Sequence, residues 1–471
     1  MLFTSTVFIL FFLPCLLVCY FLIPAKWLRG RNLVLLVFSL VFYAWSGVRF
    51  LGILGASIGL NYLGGLAAGR WRNDPKGRGA VCVTVELNLA LLGYFKYAAF
   101  AARSLAVIGL SVTLPSVALP VGISFFTFQG LSYVVDVYRG WVEVQKNPLL
   151  VALYLSLFPQ LVAGPIVRYT DVARSLTHRT TSARDLLQGL TRFMLGFGKK
   201  LLLANAMGEV ADLAFGQIGS KLLTLPVAWV GAAAYSLQIY YDFSAYSDMA
   251  IGLGRVFGFR FPENFRQPYL ARSVTDFWRR WHISLSAWFR DYVYIPLGGN
   301  RCSTARQLLN LAVVWSLTGL WHGAAWNFVA WGAYYGGLLI LEKFVFPDFW
   351  RRGPRPVCHL LTLLLVLVGW VLFRAQTLAD AARYLSAMFG AGGFAPEEAV
   401  YLLRQYGVEF LCCVLGVLPL GKILGRFAPK SWRRVVWVKQ ALLAAFALGV
   451  FAISYMKLVS GSFNPFIYFQ F

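Results

Sequence analysis

Hydrophobic residues in this chain are gathered into long runs separated by short polar loops. Segments 7–23, 308–320, 360–373 and 442–456 each supply most or all of a crossing through roughly 30 Å of hydrocarbon. Roughly ten to twelve such segments meet that length criterion, several of them interrupted by Pro or Gly. The pattern predicts an all-α, polytopic membrane protein in which residues 1–471 form a single integral-membrane domain, with no large soluble domain left over. The first run, MLFTSTVFILFFLPCLLVCYFLIP, lacks the basic start and small-residue cleavage site of a secretory signal and reads as a retained helix.

The polar positions between the runs set an orientation. Lys26, Arg29 and Arg31 follow the first run, and Arg70, Arg72, Lys76 and Arg78 follow the third. Lys422, Arg426, Lys430, Arg433 and Arg434 precede the last. Because basic loops stay in the cytoplasm, both termini are expected outside it, with residues 441–471 forming a final span and an extracytoplasmic tail. Stretch 149–163 breaks the alternation, since Arg139 and Lys146 precede it and Arg168, Arg174 and Arg179 follow it. A re-entrant element is the simplest repair, and it implies an interior cavity, because irregular backbone at membrane depth needs protein or water around it. No repeated block or inverted pair of broken helices is visible, which weakens a secondary-transporter reading.

Composition sharpens this picture. At 59% hydrophobic and 13% charged, the chain is far from a water-soluble globule. Its formal charge of +24 would suggest nucleic acid in a soluble protein, but here the basic residues serve orientation and contact with anionic lipid. The seven cysteines lie mostly inside apolar runs without ligand-like spacing, so neither a disulfide nor a metal site is expected.

Candidate chemistry rests on the histidines. His178 lies in a basic loop and His359 follows the 351–355 arginines, where solvated or headgroup-facing roles suffice. His322, in GLWHGAAWNF, and His282, in FWRRWHISLSAWFRDYVYIPLGGNR, sit among apolar and aromatic residues instead. An ionisable side chain near membrane depth is a functional candidate by default, the alternative being a packed histidine bonded to a neighbouring carbonyl. A neutral imidazole takes a proton from a hydroxyl, which suits acyl transfer to an alcohol. Arg279, Arg280 and Arg290, with Trp281 among them, either bind the phosphates of an acyl donor or act as ordinary inside-positive anchors. Asn327, Trp321 and the backbone near Gly323 are further candidates to line the site, Asn327 and the Gly323 amides as oxyanion donors. Gly55-Ala56-Ser57-Ile58-Gly59 matches the pattern of serine hydrolases, but inside an apolar run its glycine spacing is read as close helix packing.

Several blocks together resemble the membrane-bound O-acyltransferases, and within them the bacterial alginate O-acetyltransferase branch. They are PVGISFFTFQGLSYVVDVYRG from Pro120, FPQLVAGPIVRY from Phe158, YDFSAYSDMAIGLGRVFGFRFPENF from Tyr241, SVTDFWRRWHISLSAWFRDYVYIPLGGNR from Ser273 and WHGAAWNFVAWG from Trp321. The resemblance covers a core at 120–345. It implies a helical bundle in a bacterial inner membrane with a central tunnel, His322 as the signature histidine at its constriction, and His282 as a second, supporting histidine. The implied donor is a cytoplasmic thioester, acetyl-CoA, with no bound cofactor. The implied recipient is an extracytoplasmic, serine-esterase-like (SGNH) acetyltransferase partner acting on a polysaccharide. Similar aromatic-Tyr endings in this branch make Tyr468, in FIYFQF, a candidate acyl carrier, the alternative being an aromatic belt at the membrane surface. A thiol of pKa about 8.5 leaves more readily than a phenol of about 10, and a phenol more readily than a sugar alcohol, so each hand-off runs downhill. Two competing readings stand beside this one: D-alanyl transfer to teichoic acid, and a transport channel for polysaccharide or another substrate.

Overall fold

A computed structural model describes residues 1–110, 112, 118–420, 436–461 and 466, and every regular element among them is a helix. The basic loop at 422–434 and all of the ending except Phe466, Tyr468 included, lie outside the described residues. The chain forms two compact units, one of residues 1–193 and 247–262, the other of 194–246 and 263–471.

Four helices among the described residues are long and apolar enough to cross a membrane: Phe50–Arg70, Pro75–Val107, Arg355–Arg374 and Val438–Val459. A fifth crossing arises if Glu397–Gln405 and Gly407–Val417, bent by 72° at their junction, act as one. Many of the other apolar runs fold into shorter helices. Phe8–Leu22 and Trp326–Ile340 each have 15 residues, about 22 Å at 1.5 Å per residue. Hydropathy counts apolar length, whereas the backbone breaks these runs into pieces.

In the first unit, helices Phe50–Arg70, Pro75–Leu92 and Ile123–Arg139 pack through small residues and buried amides. Asn61 and Asn88 exchange a reciprocal pair of amide hydrogen bonds, each 3.1 Å. A Cβ at Gly130 would collide with Asn61, one at Gly64 with Thr84, and one at Gly65 with Tyr133. Lipid is as apolar as a leucine side chain, so close approach and internal hydrogen bonds, rather than exclusion from water, hold such helices together. The expectation that Gly55 and Gly59 mark a close crossing is overturned. A Cβ at either position meets open space, and the tight contacts lie one to two turns further on.

Stretch 149–163 is a nine-residue helix, Pro148–Ser156, a break at Leu157 and a single turn, Phe158–Leu161. Helix Pro148–Ser156 is too short to cross. The break is satisfied internally: the Phe158 amide donates to the Ser39 hydroxyl at 3.1 Å and Gln160 Nε2 to the Tyr154 carbonyl at 2.6 Å.

The second unit is built around a helical hairpin, Thr304–His322 and Trp326–Ile340. Its arms cross at Gly319 and Gly332, whose Cα atoms are so near that a Cβ on Gly319 would come within 3.2 Å of the Gly332 Cα and strike the Phe328 carbonyl. Short helices Val274–Arg280 and Ile283–Phe289 and the long helix Arg355–Arg374 complete the surroundings. Their meeting faces are aromatic. Trp278 lies against Trp315, Trp331 and Tyr335, and Trp281 against Phe277 and Trp370, with ring centres 4.8 to 5.6 Å apart.

A methyl group at the hairpin crossing must push the arms apart. Gly319→Ala is expected to lower stability by about 1–3 kcal/mol, read as a depressed thermal midpoint of the detergent-solubilised protein. Gly337→Ala, where a Cβ meets nothing within 4 Å, leaves the midpoint unchanged.

Candidate functional site

His322 is the last residue of helix Thr304–His322, and its placement follows from helix geometry. Its Nδ1 lies 2.8 Å from the carbonyl of Thr318, one turn back. A carbonyl only accepts, so Nδ1 carries the proton and the basic lone pair belongs to Nε2. Trp321, Trp331 and Phe373 surround the ring at 4.9, 4.7 and 5.5 Å between centres, each at a steep angle. The imidazole is thereby buried with one tautomer and one orientation. Gly323, directly after it, is required by packing, since a Cβ there would overlap the Phe328 ring that lies against Phe373.

His282 sits between the two short helices with φ 44° and ψ 53°. This left-handed backbone costs a non-glycine residue on the order of 1 kcal/mol and persists only where the surroundings enforce it. The ring is fully buried, 4.6 Å from Phe243 and 5.7 Å from Trp321. Trp321 therefore packs against both imidazoles within the aromatic core of the second unit. Nδ1 of His282 lies 3.2 Å from Asn264 Oδ1, while Nε2 is buried without a protein partner.

The remaining expected residues separate into groups. Asn327 is buried near the start of helix Trp326–Ile340, where Nδ2 donates to the Ala375 carbonyl at 3.0 Å and Oδ1 stays buried without a hydrogen bond. Arg280 pairs with Asp276 at 2.8 Å, Arg290 pairs with Asp291 at 2.6 Å, and Arg279 is exposed. Trp281 is not beside them: it is 2% exposed, stacked on Phe277 and packed against Trp370. The reason is local, because the strained turn at His282 follows it and directs residue 281 into the aromatic core. His178 is exposed, and His359 donates to or accepts from no acid, its Nδ1 lying 2.8 Å from the Ala271 carbonyl.

Three further features escaped the sequence reading. Lys200 and Asp242 form an ion pair of 2.5 Å with both side chains only 2% exposed. Phe466, two positions before Tyr468, is buried on this pair, its ring 4.9 Å from Lys200 Nζ and edge-on to Tyr246 at 5.1 Å. The signal for the pair was present, since Asp242 is an acid within a long apolar helix. Asn264, the third feature, is a lone amide in a loop, and nothing in its neighbours distinguishes it.

Removing one member of a desolvated ion pair strands the other. Lys200→Met alone should destabilise the protein by about 3–5 kcal/mol, and combining it with Asp242→Leu should recover most of that loss. Denaturant titration of the two variants in detergent measures the difference.

Comparison with known proteins adds the following. The family model for the membrane-bound O-acyltransferases matches residues 144–379, a span that contains His282 and His322. The chain is 40% identical to a probable alginate O-acetylase of Azotobacter vinelandii and 41% identical to one of Pseudomonas putida, in each case over the whole of both chains. It is 32% identical to a peptidoglycan O-acetyltransferase of Helicobacter pylori, over all of this chain and 98% of the other.

Proposed function

Because this chain belongs to the membrane-bound O-acyltransferase family, we propose that it passes an acetyl group from a cytoplasmic thioester, acetyl-CoA, toward an extracytoplasmic polysaccharide, with alginate as the polymer. The observation that carries the reading is the state of His322. Its Nδ1 proton is committed to the Thr318 carbonyl, so Nε2 is a base of defined direction in a chamber of indole and phenyl rings. Full-length likeness to proteins named for O-acetyl transfer favours an acetyl cargo over D-alanine.

The chemistry is a single acyl substitution. An acceptor hydroxyl is held against the thioester carbonyl, and Nε2 of His322 takes its proton as the new C–O bond forms. The tetrahedral intermediate then expels the thiolate, which recovers the proton from the imidazolium. Burial among aromatic rings keeps water from competing as the nucleophile. Asn327 Oδ1, buried without a hydrogen bond among the described residues, suits the role of an acceptor for a donor group of an incoming substrate.

On this reading the first acceptor is the phenol of Tyr468, and the acetyl-tyrosine is discharged to a serine-esterase-like partner outside the membrane. Burial of Phe466 on the Lys200–Asp242 pair supports it, since Phe466 lies two positions before Tyr468 in the sequence. Arg279, Arg280 and Arg290 form the approach for the donor phosphates, with Trp281 as packing behind them. The bent and shorter apolar helices bring the crossings to ten to twelve around a tunnel in a bacterial inner membrane, both termini outside the cytoplasm; the alternation of basic loops supports that orientation.

His322→Ala is expected to reduce polymer acetylation in cells by at least about 100-fold while polymer export continues at the wild-type rate, both read on secreted polymer. Loss of export with acetylation per sugar unchanged would instead assign a transport channel. Tyr468→Phe keeps the aromatic ending and removes the acceptor, so wild-type acetylation in that variant would refute the relay and leave direct transfer.

A further inference from the structure

Asn264 bonds to the segment that carries His282 through both its side chain and its backbone. Its Oδ1 accepts from the Ser284 amide at 3.2 Å and from the Ser284 hydroxyl at 2.9 Å, and it faces His282 Nδ1 at 3.2 Å. Its backbone carbonyl accepts from the Ile283 amide at 3.0 Å. The chemistry of these partners removes the usual ambiguity of an amide side chain. A backbone N–H can only donate, so the atom facing it must be the oxygen. An oxygen facing Nδ1 in turn requires that Nδ1 bear the proton. The basic lone pair of His282 therefore belongs to Nε2, which is buried with no hydrogen-bond partner among the described residues. The same residue grips the chain on the far side of His282 through Ile283 and Ser284, which is where the left-handed turn is enforced.

We infer that Asn264 is a positioning residue of the acyl-transfer site: it sets both the tautomer and the backbone turn of His282, so that Nε2 is an acceptor reserved for the hydroxyl of the incoming acyl acceptor. A buried acceptor without a partner is costly unless a ligand supplies the donor. Trp321, which packs against both imidazoles, brings that acceptor into the neighbourhood of His322. The two histidines then divide the work on one hydroxyl group. His282 accepts its hydrogen bond during binding, and the O–H then turns from His282 to Nε2 of His322, which takes the proton as the bond to the acyl carbon forms. Nothing is consumed at His282, which ends each cycle in the tautomer it began with. Asn264 lies within FPENF, outside the histidine blocks, and acts only through its neighbour.

The role attributed to Asn264 rests on the acyl-transfer reading, but its tautomer can be read without any activity. With His178, His322 and His359 each replaced by Gln, His282 is the sole imidazole of the chain. Nitrogen-15 labelling of histidine in that full-length protein, in detergent at alkaline pH, distinguishes a protonated Nδ1 from a protonated Nε2 by their long-range proton couplings. Asn264 is expected to give the Nδ1–H form, Asn264→Leu to shift the population toward Nε2–H, and Asn264→Asp, which keeps an oxygen in place, to retain Nδ1–H. In the chain with all four histidines, Asn264→Leu should lower polymer acetylation about 100-fold, the scale of a mis-set tautomer or lost acid–base assistance. Asn264→Asp should keep at least about a tenth of the wild-type rate, and His322→Ala reports separately on the acyl-transfer reading. An unchanged tautomer in Asn264→Leu, or a changed tautomer with a wild-type rate, overturns the inference. If Asn264→Leu does not fold, Asn264→Ser withdraws the acceptor with a smaller change of volume and is read in the same two ways.

Discussion

An imidazole buried among aromatic rings has two nitrogens and little else to bond with, and this constraint governs the second unit of the protein. One nitrogen of each ring is matched by a protein acceptor: the Thr318 carbonyl for His322, the Asn264 amide oxygen for His282. That single pairing decides which nitrogen is basic and prevents the ring from turning. The surrounding tryptophans and phenylalanines contribute area and shape.

Elsewhere the chain meets the same requirement by other means. In the first unit, the reciprocal Asn61–Asn88 pair and the Ser39 hydroxyl satisfy polar groups that lipid cannot, and glycines allow the backbones to approach. In the second unit, an ammonium and a carboxylate do so for each other at Lys200 and Asp242, and an aromatic ring from near the chain's end covers them. Each of these is a local solution to burial of polar atoms. Together they let a chain that is 59% hydrophobic adopt defined contacts instead of a sliding, featureless packing of helices.

How far the sequence alone reveals this depends on the range of the interaction. Membrane residence was legible because apolar runs act through their own length, and His282 and His322 stood out because ionisable groups are rare in such surroundings. Helix lengths were less legible. The break at Leu157 and the turn at His282 depend on partners far along the chain, so runs of apolar residues alone do not show where the backbone changes direction. The glycines at 55 and 59 carry the right spacing for a close crossing, yet it is Gly64 and Gly65 that face neighbours, and spacing alone cannot say which face of a helix is covered. Trp281 is adjacent to arginines in sequence, yet its side chain is buried against Phe277 and Trp370. Asn264 is 18 residues from His282 and acquires its meaning only from the fold.

The crossing of the two hairpin arms consists of glycines, residues with no side chain to trim. Over evolutionary time, mutation at that point can only add atoms, and each addition forces apart the helices that carry His322 and Trp331. Change in the descendants of this gene is therefore more readily absorbed at positions whose side chains can be trimmed as well as enlarged. The hinge between the arms is the part of the ancestry that adaptation has the least freedom to rewrite.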